Sequence, residues 1–298
     1  MLSDEVLEEF VEAGKIARKV KEWSKKLIVV ETPLIDIAAS IEDMIVEEGA
    51  QPAFPVNISI NEVAAHYTPS LNDSSVIGEN DVVKVDFGVR LNNGIADTAY
   101  TIDLSGQWTQ LLEASAQALD KAIKVIRAGV SVSDVSAVIE DTITAYGFKP
   151  ISNLTGHKIV PGLLHAGVEV PNVKNNSSYV FKEGDVFAIE PFATNGRGFV
   201  NDLDEVEIFS LIEPKPLHSR LGRVMLNHIV KTYGFLPFAQ RWLETAFKSK
   251  LQVSVALKEM IKKRVVATYP VLREAGGGMV SQFEHTVIVR EGGCTVTT

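Results

Sequence analysis

LIDIAASIEDMIVEEGAQP, from Leu34 to Pro52, lies over VSDVSAVIEDTITAYGFKP, from Val132 to Pro150, without a gap. At this offset of 98, eight of 19 positions are identical: Asp36/Asp134, Ala39/Ala137, Ile41/Ile139, Glu42/Glu140, Asp43/Asp141, Ile45/Ile143, Gly49/Gly147 and Pro52/Pro150. Two unrelated amphipathic helices sharing a stop signal would give part of this pattern. A duplicated helix–helix–strand unit gives all of it, and it places two halves around a shared sheet with a site between them.

The surroundings fit such a unit. Upstream, Ser3 is positioned to cap a helix whose apolar residues Val6, Phe10, Ala13 and Ala17 recur at helical spacing. Thr32 and Pro33 read as the start of the second helix and Gly49 as its end. Downstream of Gly49, Ala53–Ile60 and Asp81–Arg90 read as strands. Asn92-Asn93-Gly94 reads as a turn and Ile95–Leu104 as a returning strand. Residues Gln110–Ala128 read as helical, and Ser133 is placed to cap a helix ending at Gly147. Val186–Phe192, Asp204–Phe209 and Ser281–Val289 each read as one strand. Between the last two, Ser219 to about Ala267 is helical, basic and free of paired strands, which marks an insertion.

Composition limits the function. The 298 residues carry 29 basic and 38 acidic side chains, a formal charge of −9 that argues against nucleic acid as the main partner. With 46% hydrophobic and 22% charged residues the chain can build a core, so disorder is excluded. No apolar run approaches the ~18 residues of a membrane span, and the first 27 residues, which mix acids and bases, hold no signal-peptide stretch. Cys294 is the single cysteine, which fits a reducing, cytoplasmic setting. The sequons at Asn57 and Asn153 are then incidental. A monomer is the default expectation.

The chemistry is concentrated in a few acids. Asp86 and Asp97 flank the Asn92–Gly94 turn, and their index sum is odd, so a regular hairpin puts both on one face, roughly 5–8 Å apart at Cβ. Two solvated acids on an exposed face would satisfy the same parity. Glu190 sits in an apolar strand, Phe187–Phe192, and Glu284 has the same character in Gln282-Phe283-Glu284-His285. A buried carboxylate costs several kcal/mol unless paired or metal-bound, and neither strand supplies a cation. His66, His157 and His165 stand beside small residues at strand ends. His218, His228 and His285 read as ordinary satisfied polar groups. A carboxylate-rich set with one imidazole suits two divalent ions and metal-assisted hydrolysis of a carbonyl or phosphoryl group. Spacing alone leaves the substrate class open.

In this order, Ala65-His66-Tyr67-Thr68-Pro69, Asp86 with Asp97, Gly156-His157, Leu164-His165-Ala166-Gly167, Ile189-Glu190-Pro191-Phe192 and Gln282-Phe283-Glu284-His285 resemble the type 2 methionine aminopeptidases of the short, archaeal-like kind. The resemblance implies an α+β pita-bread fold of two pseudo-symmetric halves, with residues 1–212 and 268–298 catalytic and 213–267 a helical insertion subdomain. It implies two divalent ions (Co, Mn, Fe, Zn or Ni) on Asp86, Asp97, His157, Glu190 and Glu284, with Asp97 and Glu284 bridging. The implied reaction is removal of the initiator methionine from nascent polypeptide N-termini by a metal-bound hydroxide when the second residue is small. His66 would stabilise the oxyanion, His165 would bond the scissile amide and Glu190 would shuttle the proton. Phe54, Leu164, Ala256 and Tyr269 would bind the methionine side chain. Val224 stands where eukaryotic members place a pocket histidine, and their charged N-terminal extension has no counterpart here. A pita-bread peptidase cleaving before proline and a non-catalytic pita-bread binding protein are the rival readings.

Overall fold

The computed structural model describes residues 2–298. Its first half runs α1 (Asp4–Ser24), α2 (Leu34–Glu47), β1 (Gln51–Ile60), β2 (Val63–Ala65), β3 (Val82–Leu91) and β4 (Gly94–Asp103). The second begins with α3 (Thr109–Val125), α4 (Val132–Ala145), β5 (Lys149–Pro150), β6 (Thr155–Ile159), β7 (Glu169–Pro171), β8 (Val186–Ile189) and β9 (Phe192–Thr194). Then come β10 (Val200–Leu211), α5 (Arg220–Thr232), β11 (Phe238–Ala239), α6 (Gln240–Phe247), α7 (Lys250–Lys262) and β12 (Val266–Glu274). The chain closes with β13 (Val280–Gln282), β14 (Glu284–Arg290) and β15 (Gly293–Val296).

The repeat is physical. α2 and α4 each span 14 residues, start 98 positions apart, and end at glycines with φ of 82° and 83°, conformations that only glycine adopts without strain. Ile37, Ile41 and Ile45 are buried in α2, and Val135, Ile139 and Ile143 take the matching places in α4. α1 and α2 pack on Val83, Val85, Phe87 and Val89 of β3. α3 and α4 pack on Phe187, Ile189, Val287 and Val289 of β8 and β14. With alternate residues of each strand committed to the helices, Lys84, Asp86 and Gly88 face the other way.

The main sheet runs β1-β3-β4-β14-β8-β6-β7. β3 and β4 form the hairpin expected, with Leu91 opposite Gly94 and a two-residue turn at Asn92-Asn93. β8 and β14 form the corresponding antiparallel pair of the second half. Their connection is not a turn but the whole stretch from Glu190 to Phe283, so the extra elements open out where a hairpin loop would be. β10 pairs with β12 and β11, and β12 with β2, in a second sheet. α5, α6 and α7 share their own apolar cluster with β10 residue Phe209 and β11 residue Phe238.

Four local expectations change. Ser131, not Ser133, caps α4, through a capping box with Asp134. Pro33 occupies the cap position of α2, and Thr32 instead accepts a backbone bond from Ile77. The helical segment is not free of paired strands, because Phe238–Ala239 pairs with β10. Val186–Phe192 and Ser281–Val289 are not single strands. The first breaks at Glu190-Pro191, where proline has no N–H for a ladder, and the second breaks at Phe283. Beyond each break the chain changes sheet: β9 and β13 pair with each other in a third, small sheet.

Candidate active site

Where the two halves meet, the faces turned away from the helices enclose a cavity of about 460 Å³. Asp86 from β3, Asp97 from β4, His157 from β6, Glu190 from the β8–β9 break and Glu284 from the first position of β14 all line it. Asp97 lies opposite Gly88, so Asp86 and Asp97 are diagonal neighbours on one face, as the parity argument requires.

Ligand atoms of Asp97, His157 and Glu284 lie within 4.8 Å of one another. His157 Nε2 stands 3.4 Å from Asp97 Oδ2 and 3.6 Å from Glu190 Oε1. Gln282 Nε2 ties the set together, donating to Asp86 Oδ2 at 3.1 Å and to Glu284 Oε2 at 3.4 Å. Asp86 Oδ1, Asp97 Oδ1, His157 Nδ1 and Glu284 Oε1 are buried without a partner among the described residues. Burial pushes Asp86, Glu190 and Glu284 well above the carboxylate range, and the charges of neighbouring acids push the same way. Burial also raises Asp97 to about 7 and lowers His157 to about 4, which keeps its imidazole neutral, the state that binds metals. Four crowded acids, a neutral imidazole and orphaned oxygens fit divalent cations and have no other cation within reach of their free atoms among the described residues.

The frame is built by side chains whose roles the sequence does not announce. Asn172 clamps the β8–β9 break: Nδ2 donates to Leu154 O at 2.8 Å and Glu190 O at 3.4 Å, and Oδ1 accepts from Phe192 N at 3.2 Å. Thr286 cross-links β14 to β4, accepting from Asp97 N at 2.7 Å and donating to Asp97 O at 2.9 Å. Gly156 can only be glycine, since a Cβ there would lie 2.4 Å from Ala188 O. Glu274 accepts from the backbone N–H of Arg197, Gly198, Gly276 and Gly278 and so joins two loops near the rim. Repeated glycines around one acid were the only sequence signal for it.

Beside the acids the wall is apolar and aromatic. Phe54, Leu164, Ile208, Pro237 and Leu272 line it, with His66, His165 and Tyr269. The Tyr269 ring lies edge-on to His66 at 5.6 Å and stacked on His165 at 6.2 Å, and His165 meets His157 at 4.4 Å. Ring packing of this kind holds the three imidazoles around one space. His66 has φ 66°, a left-handed conformation that aims its ring away from the strand course. Its Nδ1 is 3.1 Å from Pro270 O. A carbonyl only accepts, so Nδ1 carries the proton. Burial lowers the pKa of His66, and in the neutral ring Nε2 is then an acceptor.

Two expectations fail. Ala256 does not line the cavity. It is buried in α7 with Val253, Leu257 and Met260, because the apolar stripe of that helix faces the cluster it shares with α5 and α6. Val224 is 51% exposed on α5 and lies outside the lining, where Ile208 and Pro237 supply the wall instead. His218, His228 and His285 are also outside it.

Known proteins give the same reading. The model of metallopeptidase family M24 matches residues 8–291. The methionine aminopeptidase of Methanothermobacter thermautotrophicus is 45% identical over 296 residues, 98% of this chain and 99% of that one. That of Thermococcus kodakarensis is 48% identical over 292 residues, 98% and 99% of the two chains. The solved structure of a thermophilic Arx1 superposes with a TM-score of 0.88 over 100% of this chain and 91% of that one, and at 18% identity the likeness is one of fold. The chain therefore belongs to metallopeptidase family M24 and stands within it beside the archaeal methionine aminopeptidases.

Proposed function

We propose that the chain removes the N-terminal methionine of nascent polypeptides when the second residue is small, with two divalent ions held by Asp86, Asp97, His157, Glu190 and Glu284. The observation that carries the reading is an apolar pocket, walled by Phe54, Leu164 and Leu272, that opens directly onto the crowded acids. Such a pocket accepts one unbranched thioether side chain and leaves the adjoining peptide bond beside the metal ligands. Divalent ions bound there supply Lewis-acid activation of water and of the scissile carbonyl.

The chain's own residues do the rest. Asp97, anchored through Thr286, and Glu284, anchored through Thr98, would hold the ions where the halves meet. Glu190 takes the proton released from water and passes it to the leaving amine. His66, with its proton fixed on Nδ1 by Pro270, presents Nε2 as an acceptor, which suits the N–H of the scissile amide better than an oxyanion. His165 makes no ring hydrogen bond among the described residues, so it is free to turn an N–H toward the developing oxyanion. These two roles exchange the assignment that the resemblance implied. Tyr269 positions both rings.

We assign residues 1–212 and 268–298 to the catalytic body and 213–267 to the helical insertion. The body reaches into the insertion, since β12 begins at Val266 and β11 joins β10. A monomer acting in the cytoplasm on nascent N-termini, without stable nucleic-acid partners, agrees with the acidic balance and the unpaired Cys294. No helix among the described residues is long and apolar enough to cross a membrane.

The test is turnover of Met-Ala-Ser by protein stripped with chelator and reloaded anaerobically with Mn, Fe, Co, Zn or Ni. Release of methionine dependent on added metal is expected. Cleavage of X-Pro dipeptides in its place would overturn the reading in favour of a proline-directed peptidase, and no cleavage with any metal would favour a non-catalytic binding protein.

A further inference from the structure

Asn57 lies on β1 directly across from Asp86, and its side chain lines the cavity although the residue is only 5% exposed. The strand would not place it there if it were regular. Phe54 pairs with Gly88 and Asn57 with Asp86, so three steps along β1 match two along β3. Residues an odd number apart point to opposite faces of a regular strand. The extra residue of this bulge turns both Phe54 and Asn57 into the cavity, about 7 Å apart along the partner strand.

The amide is oriented within the bulge. Nδ2 donates to Pro55 O at 3.2 Å, which spends the donor end on the backbone and turns Oδ1 the other way. Oδ1 is buried with no hydrogen-bond partner among the described residues. An amide oxygen can only accept, and leaving a buried acceptor unpaired is costly. No side chain among the described residues donates to it, and the residue lines the cavity, so a molecule bound there can supply the donor. If the first residue of a peptide lies with its side chain on Phe54, the group that reaches the Asn57 end of the same face is its α-amino group.

We propose that Asn57 Oδ1 accepts a hydrogen bond from the free α-amino group of the substrate, which makes Asn57 a specificity residue for unblocked N-termini. This rests on the aminopeptidase reading above. The test is competitive inhibition of metal-loaded protein, assayed on Met-Ala-Ser, by L-methioninol and by its desamino counterpart 4-(methylthio)butan-1-ol. In the parent, methioninol binds more tightly. In Asn57→Leu that advantage shrinks about tenfold, while the constant for the desamino alcohol moves less than twofold. Asn57→Ser, which is too short to reach, behaves the same way and stands in if Asn57→Leu does not fold. Parallel weakening of both inhibitors would overturn the proposal and leave Asn57 a packing residue. A tenfold loss of Mn affinity by calorimetric titration would overturn it in favour of a role at the ions. An inactive parent protein would instead sink the aminopeptidase reading itself.

Discussion

Arg241→Met, made alone and with Glu42→Gln, separates what a buried ion pair does for stability from what it does for the site. Arg241 reaches from α6 to Glu42 on α2, and the two are 4% and 12% exposed at their side chains. Its Nη1 also donates to Thr68 Oγ1 at 2.5 Å and Pro69 O at 3.3 Å, and Thr68 in turn donates to Val56 O at 2.7 Å. Trp242 Nε1 and Val56 N hold Glu42 from two further sides, at 2.9 Å and 3.2 Å. The helical segment thus grips the loop that carries His66. Burial raises the pKa of Glu42 and lowers that of Arg241, and in each case it outweighs the attraction of the partner. A pair of this kind is costly to break and cheap to remove.

Arg241→Met leaves Glu42 buried and uncompensated, at a cost of about 3–5 kcal/mol. At about 2.1 cal/mol/K of unfolding entropy per residue, a chain of 298 residues then loses roughly 5–8 °C of its unfolding midpoint. Adding Glu42→Gln removes the second charge and keeps an acceptor for one of Val56 N and Trp242 Nε1 while leaving the other unpaired, so most of the loss returns, to within about 1–2 kcal/mol of the parent. Turnover does not return, because both variants lack the donor to Thr68. kcat on Met-Ala-Ser falls several-fold in each while KM changes little. Calorimetric unfolding and steady-state kinetics on the three metal-loaded proteins decide it. A double variant as unstable as the single one would refute the charge argument, and one with parental kcat would refute the grip on His66.

Three other outcomes are expected. Glu190→Gln lowers kcat at least 10²-fold while circular dichroism and the melting temperature stay near parental values; near-normal turnover would remove its assigned role. Phe54→Ala narrows the preference for Met over Leu substrates, by about 1–3 kcal/mol at most, and leaves metal affinity unchanged in a calorimetric titration. Metal-free protein loses thermal stability as pH rises. Asp86, Asp97, Glu190 and Glu284 all have raised folded pKa values, so their contribution is complete below the unfolded value near 4 and is lost through the folded ones, with Asp97 at about 7. Melting curves from pH 5 to 8 with chelator should fall, and a flat or rising profile would contradict the crowding of those acids.

The sequence was most legible where structure is local. Helix α2 and its copy α4 follow from periodicity and a stop glycine, and the β3–β4 hairpin from its turn, so the placement of Asp86 beside Asp97 could be read by parity alone. It was least legible where the chain changes sheet. Val186–Phe192 stays mostly apolar and Ser281–Thr286 mostly polar across the breaks, and residues on both sides of each break are buried. Strands distant in sequence set the turns: β8 pairs with β6 and β14 and β9 with β5 and β13, while β14 pairs with β4 and β8. Pro191 was a visible warning and Phe283 gave none. Gln282 has no role legible from Gln282-Phe283-Glu284-His285 alone, since its function is to bridge two acids brought together by separate strands. Ala256 misled because a resemblance transfers a position along the chain, whereas lining a pocket depends on which face of α7 is turned.

The order β1-β3-β4 followed by β14-β8-β6 is the same three-strand unit read twice about an axis between β4 and β14. That axis relates Asp97 to Glu284 on the central strands and Asp86 to Glu190 on the next pair outward. Duplication therefore accounts for four of the five proposed ligands as two pairs. On the outer strands the symmetry fails: His157 on β6 lies opposite Ala188, two residues before Glu190, and the matching place on β1, opposite Lys84 two residues before Asp86, is Ser59. One half supplies an imidazole there and the other a hydroxyl. A symmetric cage would hold two ions equally well but could not tell the two ends of a peptide bond apart. The amine lies on one side of the scissile carbonyl and the leaving residue on the other, so the polarity of the substrate has to be read by groups that the duplication does not repeat. Glu42 and Glu140 diverge in the same sense. They are identical in the repeat, yet only Glu42 faces Arg241, while Glu140 accepts from the backbone of Lys174 at the surface. The helical segment leans on one copy alone, and that is the half that carries His66.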